Sequence, residues 1–163
     1  MKTLIEIATA LQGKEFVEGW QDCFTAVCDL FSEYCDLEIK QYSRPRLWFM
    51  NPELNFMDKL YQEEGFIEVS DNPNAAKVGD VLFMRMGRSD CSNHLCVYVG
   101  GNKIYHHLTD QKSLLVDYDQ KWRSRVVRIA RHDQVNRKVE GNVKPIIMEV
   151  PYGVKAKIAW GNQ

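Results

Sequence analysis

No apolar run in this chain approaches the roughly 20 residues that a membrane-spanning helix requires. Its first twenty residues are interrupted by Lys2, Glu6, Lys14, Glu15 and Glu18, and they lack the apolar stretch of a signal peptide. Neither sign of charge dominates. With 21 Lys and Arg against 22 Asp and Glu, the formal net charge is -1, so electrostatics give no case for nucleic acid as a partner. Internal repeats and low-complexity tracts are absent, which excludes solenoids and arrays. The five cysteines (23, 28, 35, 91 and 96) are an odd number, and the first three lie along one helical stretch. That spacing suits no disulfide framework and points to folding in a reducing cytoplasm.

What remains is a chain of 163 residues with an ordinary globular composition, 45% hydrophobic and 26% charged, enough for one domain with a short appendage. Helical spacing of Leu4, Ile5, Ala8 and Leu11 predicts a helix over 3–12 that stops at Gly13. Asp22 is a good N-cap for a second helix, whose stripe of Ala26, Val27, Leu30, Phe31 and Tyr34 runs to about Leu37. Pro52 predicts a third helix to about Glu64, closed by Gly65. From Gly79 the period changes to two. Strands are expected at 81–86, 94–99, 103–107, 114–118 and 125–130, after a short one at 66–69. Residues 131–144 are polar and show no core pattern. Ile146–Val150 and Val154–Ala159, around Pro151-Tyr152-Gly153, read as a terminal hairpin. Helices first and antiparallel strands afterwards argue for an α+β fold, with N-terminal helices packed on the sheet.

The chemistry sits at the start of the second helix. Cys23 follows the cap, in the turn whose backbone N–H groups have no partner within the helix. The positive end of a helix and a nearby imidazolium both favour thiolate, so a thiol pKa below the ~8.5 of free cysteine is expected there. Cysteine near a helix start is also, more blandly, a small buried hydrophobe, and Cys28 and Cys35 are read that way. His94, at the head of a strand, is either a satisfied polar residue or the base that takes the Cys23 proton. A base needs a third group to orient its ring. A two-residue Gly101-Asn102 turn would pair Cys96 with His107, whereas a three-residue Gly100-Gly101-Asn102 loop or an equivalent bulge pairs it with His106. A zinc reading through Cys91, His94, Cys96 and His106 or His107 fits no usual knuckle spacing. Arg44, Arg46, Trp20, Trp48 and Phe49 can line a cleft, but nothing in the sequence assigns them a role.

Asp22-Cys23, Gly79-Asp80-Val81-Leu82-Phe83 and the stretch from His94 to His106 resemble the NlpC family of papain-like cysteine peptidases. Glu18-Gly-Trp-Gln-Asp-Cys-Phe-Thr-Ala-Val, Tyr42-Ser-Arg-Pro and Tyr105-His106-His107-Leu108 are most similar to its phage tail-assembly branch. The resemblance covers about residues 10–132. It implies a peptidase domain, taken as 1–132; residues 133–163 lie beyond the resemblance, and their polar segment and two strand-like runs are expected to form a docking extension. The resemblance implies Cys23 as nucleophile, His94 as base and His106 as orienting group, with no cofactor and no metal. The implied substrate is a peptidoglycan stem peptide, and the implied partners are other phage tail tip proteins. Synthesis in the host cytoplasm, followed by a place at the virion tail tip, goes with that branch. Two positions depart from the family pattern. Phe16 stands where many members have an upstream tyrosine that helps the oxyanion site, and Cys96 replaces a small residue two after the base. Backbone N–H donors near Cys23 are then the default oxyanion site.

Overall fold

The computed structural model describes residues 1–141, 147–149 and 155–157. Three helices precede the sheet. Helix α1 spans Leu4–Ala10 and opens on a reciprocal capping box between Thr3 and Glu6. Helix α2 spans Cys23–Cys35 and buries nine side chains, among them Phe24, Val27, Leu30 and Phe31. It ends at Cys35, two residues earlier than expected, because its cap Asp36 adopts the left-handed conformation that releases a helix. The predicted third helix is broken. Pro52–Leu54 form one 3-10 turn, and Asn55 then caps a short helix α3 at Phe56–Leu60 by accepting from the Asp58 N–H. Asn55 competes with the helix for backbone donors, and this interruption replaces the continuous helix read from Pro52.

Six strands form one antiparallel sheet: β1 Phe66–Ser70, β2 Val81–Met84, β3 His94–Gly100, β4 Lys103–His106, β5 Leu114–Asp117 and β6 Val126–His132. Their spatial order is β1-β6-β2-β3-β4-β5. Alternation divides the side chains between two faces. Val81, Phe83, Leu95, Val97 and Tyr105 pack with α1 and α2 in one core. Leu82, Met84, Cys96, Ile104 and Ile129 pack in a second core with Tyr118 and Trp122. Trp122 comes from a single helical turn, α4 Gln120–Arg123, capped by Asp119 and absent from the sequence-based expectation.

The polar segment after β6 is also more ordered than expected. Asp133–Gly141 form helix α5, whose first free amide, that of Gln134, donates to His132 Nδ1 at 3.2 Å. Gln134 Nε2 donates at 2.7 Å to the Cys35 carbonyl, one of the acceptors left open at the end of α2. Val135 is 1% exposed and belongs to the α1–α2 core, with Val139 packed against it. Two valines four residues apart suffice because Gln134 ties the start of α5 to β6 and to the end of α2. So thin a stripe is below what periodicity detects.

Beyond α5, β7 Ile147–Glu149 pairs antiparallel with β8 Lys155–Lys157, in agreement with the expected hairpin. Its turn lies outside the described residues. Among the described residues this pair forms its own two-stranded sheet, separate from the six-stranded one.

Candidate active site

The site is assembled at the N-terminus of α2 and the first residue of β3. Asp22 accepts from the Phe24 and Thr25 amides, both at 3.1 Å, through Oδ1. Its other oxygen accepts Arg44 Nε at 2.6 Å. Arg44 is 6% exposed and anchored further by the Tyr42 carbonyl and the Thr25 hydroxyl. The carboxylate beside the thiol is therefore answered on both oxygens, which holds the turn that carries Cys23. Arg44 has no sequence signal for this role, because its partner lies 22 residues away.

The hairpin between β3 and β4 determines which histidine joins His94. Gly100, Gly101 and Asn102 all take positive φ, at 91°, 59° and 55°. Two of these are glycines, for which such backbone costs little. Val99 is left over between the pairs Tyr98↔Ile104 and Gly100↔Lys103, and this bulge sets Cys96 opposite His106. His94 Nε2 then lies 3.1 Å from His106 Nδ1. His107 points elsewhere, with Nε2 donating to the Gln111 carbonyl at 2.9 Å and the Phe16 ring edge-on at 5.5 Å.

The approach to His94 is equally constrained. Asn93 closes a loop with Met86 through two side-chain hydrogen bonds, 2.7 and 3.1 Å long. The Ser92 N–H donates to Asp58 at 2.9 Å, and Asp58 is itself paired with Arg128. Trp122, which the sequence did not single out, meets His106 edge-to-face with ring centroids 4.7 Å apart, and its centroid lies 6.4 Å from that of His94. Arg125 covers the indole at 5.1 Å. Cys23, His94 and His107 open onto one cleft of about 490 Å³, whose walls include Phe16, Trp48 and Phe49. That volume is in the range of small-ligand sites.

The electrostatics correct one expectation. Burial, reinforced by Asp22, pushes the Cys23 thiol up to about 12; the Leu95 backbone N–H and Arg44 act in the other direction. The low thiol pKa expected from the helix terminus fails for two reasons. Cys23 is only 9% exposed. The Asp22 carboxylate beside it sets its own charge against the thiolate, and the Phe24 amide, shared with Asp22, offsets this only in part. His94 is held well below its usual range by burial, then by His106, Arg125 and His107. Burial, with a smaller effect of His107, brings His106 down to about 4. The resting pair is therefore thiol and imidazole. With Nε2 facing His106, Nδ1 is the His94 nitrogen left for the cleft, and His106 is uncharged at neutral pH. Of the first-turn donors, the Cys23 N–H is the one not engaged by Asp22.

Alkylation of Cys23 by iodoacetamide should accordingly be slow at pH 6.5 and quicken steadily into the alkaline range. Peptide mapping of the labelled protein across that range checks this. A rate already maximal at pH 6.5 would reveal a preformed thiolate and refute the uncharged pair.

The proposed zinc ligands do not converge. Cys91 Sγ donates to the Phe49 carbonyl at 2.8 Å, while Cys96 lies in the second core against Met84 sulfur at 3.5 Å. Among the described residues no group of three or more His, Cys, Asp or Glu is placed to hold a metal.

A cysteine-bearing helix set on an antiparallel sheet that carries paired histidines makes this an α+β fold. The chain belongs to the NlpC/P60 family, whose profile matches residues 12–131. It is 31% identical over 124 residues to tail tip assembly protein K of Escherichia phage N15, an alignment covering 75% of this chain and 49% of that protein. The chain thus spans about half the length of that relative. The fold is similar to the NlpC/p60 domain of the peptidoglycan hydrolase SagA, with a TM-score of 0.53, 17% identity and coverage of 79% of this chain and 95% of that one. A lipoprotein-like NLP/P60 protein of Staphylococcus aureus Mu50 gives a TM-score of 0.52 at 17% identity, covering 79% of this chain and 40% of that one.

Proposed function

We propose that this chain is a cysteine endopeptidase that hydrolyses peptidoglycan stem peptides in the service of a phage tail tip. The observation that carries the reading is the 3.1 Å bond between His94 and His106 at the cleft that also holds Cys23. A merely structural histidine pair has no need of a thiol in the same cleft. The Cys23 sulfur attacks the scissile carbonyl carbon while His94 Nδ1 takes the thiol proton, so charge develops only as the new bond forms. The uncharged resting pair makes this concerted step the natural one. His94 then passes the proton to the leaving amine, giving a thioester, and water completes hydrolysis with His94 again as base. His106, neutral at pH 7, accepts from His94 Nε2–H and stabilises the imidazolium between the two transfers. The Cys23 N–H is the donor for the tetrahedral oxyanion.

Mass spectrometry of muropeptides before and after treatment tests the reading, with Cys23→Ala as control. New amino and carboxyl termini within the stem, absent from the control, are expected. An unchanged profile with the parent protein would sink the proposal.

The likeness to a tail tip assembly protein supports other tail proteins as partners. The docking role expected of residues 133–163 is proposed for the part beyond α5, because α5 contributes Val135 to the core. A two-strand sheet alone is marginal in water, and an added strand from a partner would stabilise it. Deleting residues 142–163 should leave hydrolysis of soluble wall fragments intact and abolish co-purification with tails. Normal incorporation of the truncated chain would remove the docking role.

A further inference from the structure

Trp20 is 78% exposed, the most exposed aromatic ring among the described residues, and yet the loop that carries it is firmly built. Val17 and Gln21 exchange backbone hydrogen bonds of 2.9 and 2.8 Å, and the Trp20 N–H donates to the Val17 carbonyl at 3.0 Å. The Thr25 hydroxyl donates to the Trp20 carbonyl at 2.7 Å. Gly19 has φ of +74°, and a Cβ there would stand 2.6 Å from the Arg44 carbonyl oxygen. The indole is thus displayed by a loop pinned to the same Arg44 and Thr25 that brace Asp22. Leaving a tryptophan in water on a rigid loop forgoes considerable burial free energy.

What lies beside the indole is polar. The groove it flanks is lined by Thr25, Asp29 and Ser43, and it shares Gly19 and Arg44 with the cleft of Cys23 and His94. Asp29 is oriented by Lys14 at 2.6 Å through one oxygen, leaving the other to accept. A flat apolar ring bordered by a carboxylate and a hydroxyl is complementary to a pyranose, which has an apolar C–H face and an equatorial rim of hydroxyls. It suits an apolar protein surface poorly, since that would leave the groove's polar groups desolvated.

We propose that Trp20 and this groove form a saccharide subsite for an amino sugar of the glycan strand to which a stem peptide is attached. The proposal rests on the peptidase reading for its substrate, because the groove adjoins the catalytic cleft across their shared wall of Gly19 and Arg44. It explains why an exposed indole sits beside a thiol site: the sugar end of a substrate is gripped while its peptide enters the cleft.

The test compares two substrates in the full chain: a disaccharide-linked stem peptide containing N-acetylglucosamine and N-acetylmuramic acid, and the same peptide without sugars. Wild-type kcat/KM should favour the first, and Trp20→Ala should lower it by about tenfold on that substrate while sparing the second. A binding measurement stands apart from hydrolysis. The free disaccharide should perturb the tryptophan fluorescence of Cys23→Ala, and the perturbation should vanish when Trp20→Ala is added. Equal loss on both substrates, no loss on either, or an unperturbed spectrum would overturn the subsite. Intact sugar preference with lost tail co-purification would also overturn it and make Trp20 a protein contact. If neither substrate is cleaved by the parent chain, the peptidase reading fails, and the disaccharide titration still decides the subsite.

Discussion

Replacing His94 with alanine is expected to abolish turnover of wall peptides in a protein that still folds. The imidazole is asked to act twice, first taking the Cys23 proton and then protonating the leaving amine, and each such role is worth about two to four powers of ten. With the thiol pushed up to about 12, no reservoir of thiolate exists at neutral pH to bypass the base. His106→Ala should cost less, about ten- to a thousandfold, since it removes orientation and not the transferring atom. His107→Ala should cost little, because its ring is bonded to the Gln111 carbonyl and not to His94. Steady-state hydrolysis of soluble muropeptides ranks the three variants, with circular dichroism as the folding check. Near-normal hydrolysis by folded His94→Ala would exclude it as the base. Greater damage from His107 than from His106 would overturn the orienting assignment.

A second large effect is expected on acidification. His94 and His106 are 3% and 1% exposed, and burial, the main cause in both, holds each below the ordinary histidine value. The unfolded chain therefore binds these protons before the folded one does. Their contribution to stability is complete above pH 6.5 and is lost as pH falls from there towards the folded value, about 4 for His106. His106 removes about 2 kcal/mol between pH 7 and 5, and His94 acts in the same direction, in an interval where carboxylates contribute little. Asp58 titrates in a different window. Burial works upward on its carboxyl, but the Ser92 and Arg128 hydrogen bonds hold it below 3.8, so its share is lost only in stronger acid. Urea midpoints at pH 7.0 and 5.0 measure the effect. The double variant His94→Gln, His106→Gln should lose most of the difference. Equal wild-type midpoints, or an unchanged difference in the double variant, would show that these rings are not kept neutral by the fold.

The parts of the site that were legible in the sequence are those set by local rules. Asp22 announces the start of α2, and that places Cys23. The glycines before Asn102 permit the positive backbone angles of the hairpin, and alternation then carries His106 to the side of His94. What was not legible depends on distant pairing or on burial. Arg44 reaches Asp22 from a loop with no periodicity. Trp122 sits on a single helical turn too short to show a pattern. The thin stripe of α5 gains its place from Gln134 and Val135 meeting α2 and its surroundings. Asn55 divides the segment after Pro52 by a side-chain cap, which overrides the helical preference on either side. The thiol pKa was misjudged because a helix terminus is visible in sequence, whereas the desolvation of the sulfur is not.

The bulge at Val99 makes the site sensitive to parity. His106 ends β4 and His107 follows it with its ring turned elsewhere, so whichever stands across from Cys96 is settled by how many residues the hairpin tip contains. Loss of Gly101 alone would shorten the tip by one and exchange the two rings, withdrawing His106 without altering any residue of the cleft. The length of this distant turn thus decides which of two imidazoles meets His94, and a relative retaining every site residue can differ in its orienting group through one loop.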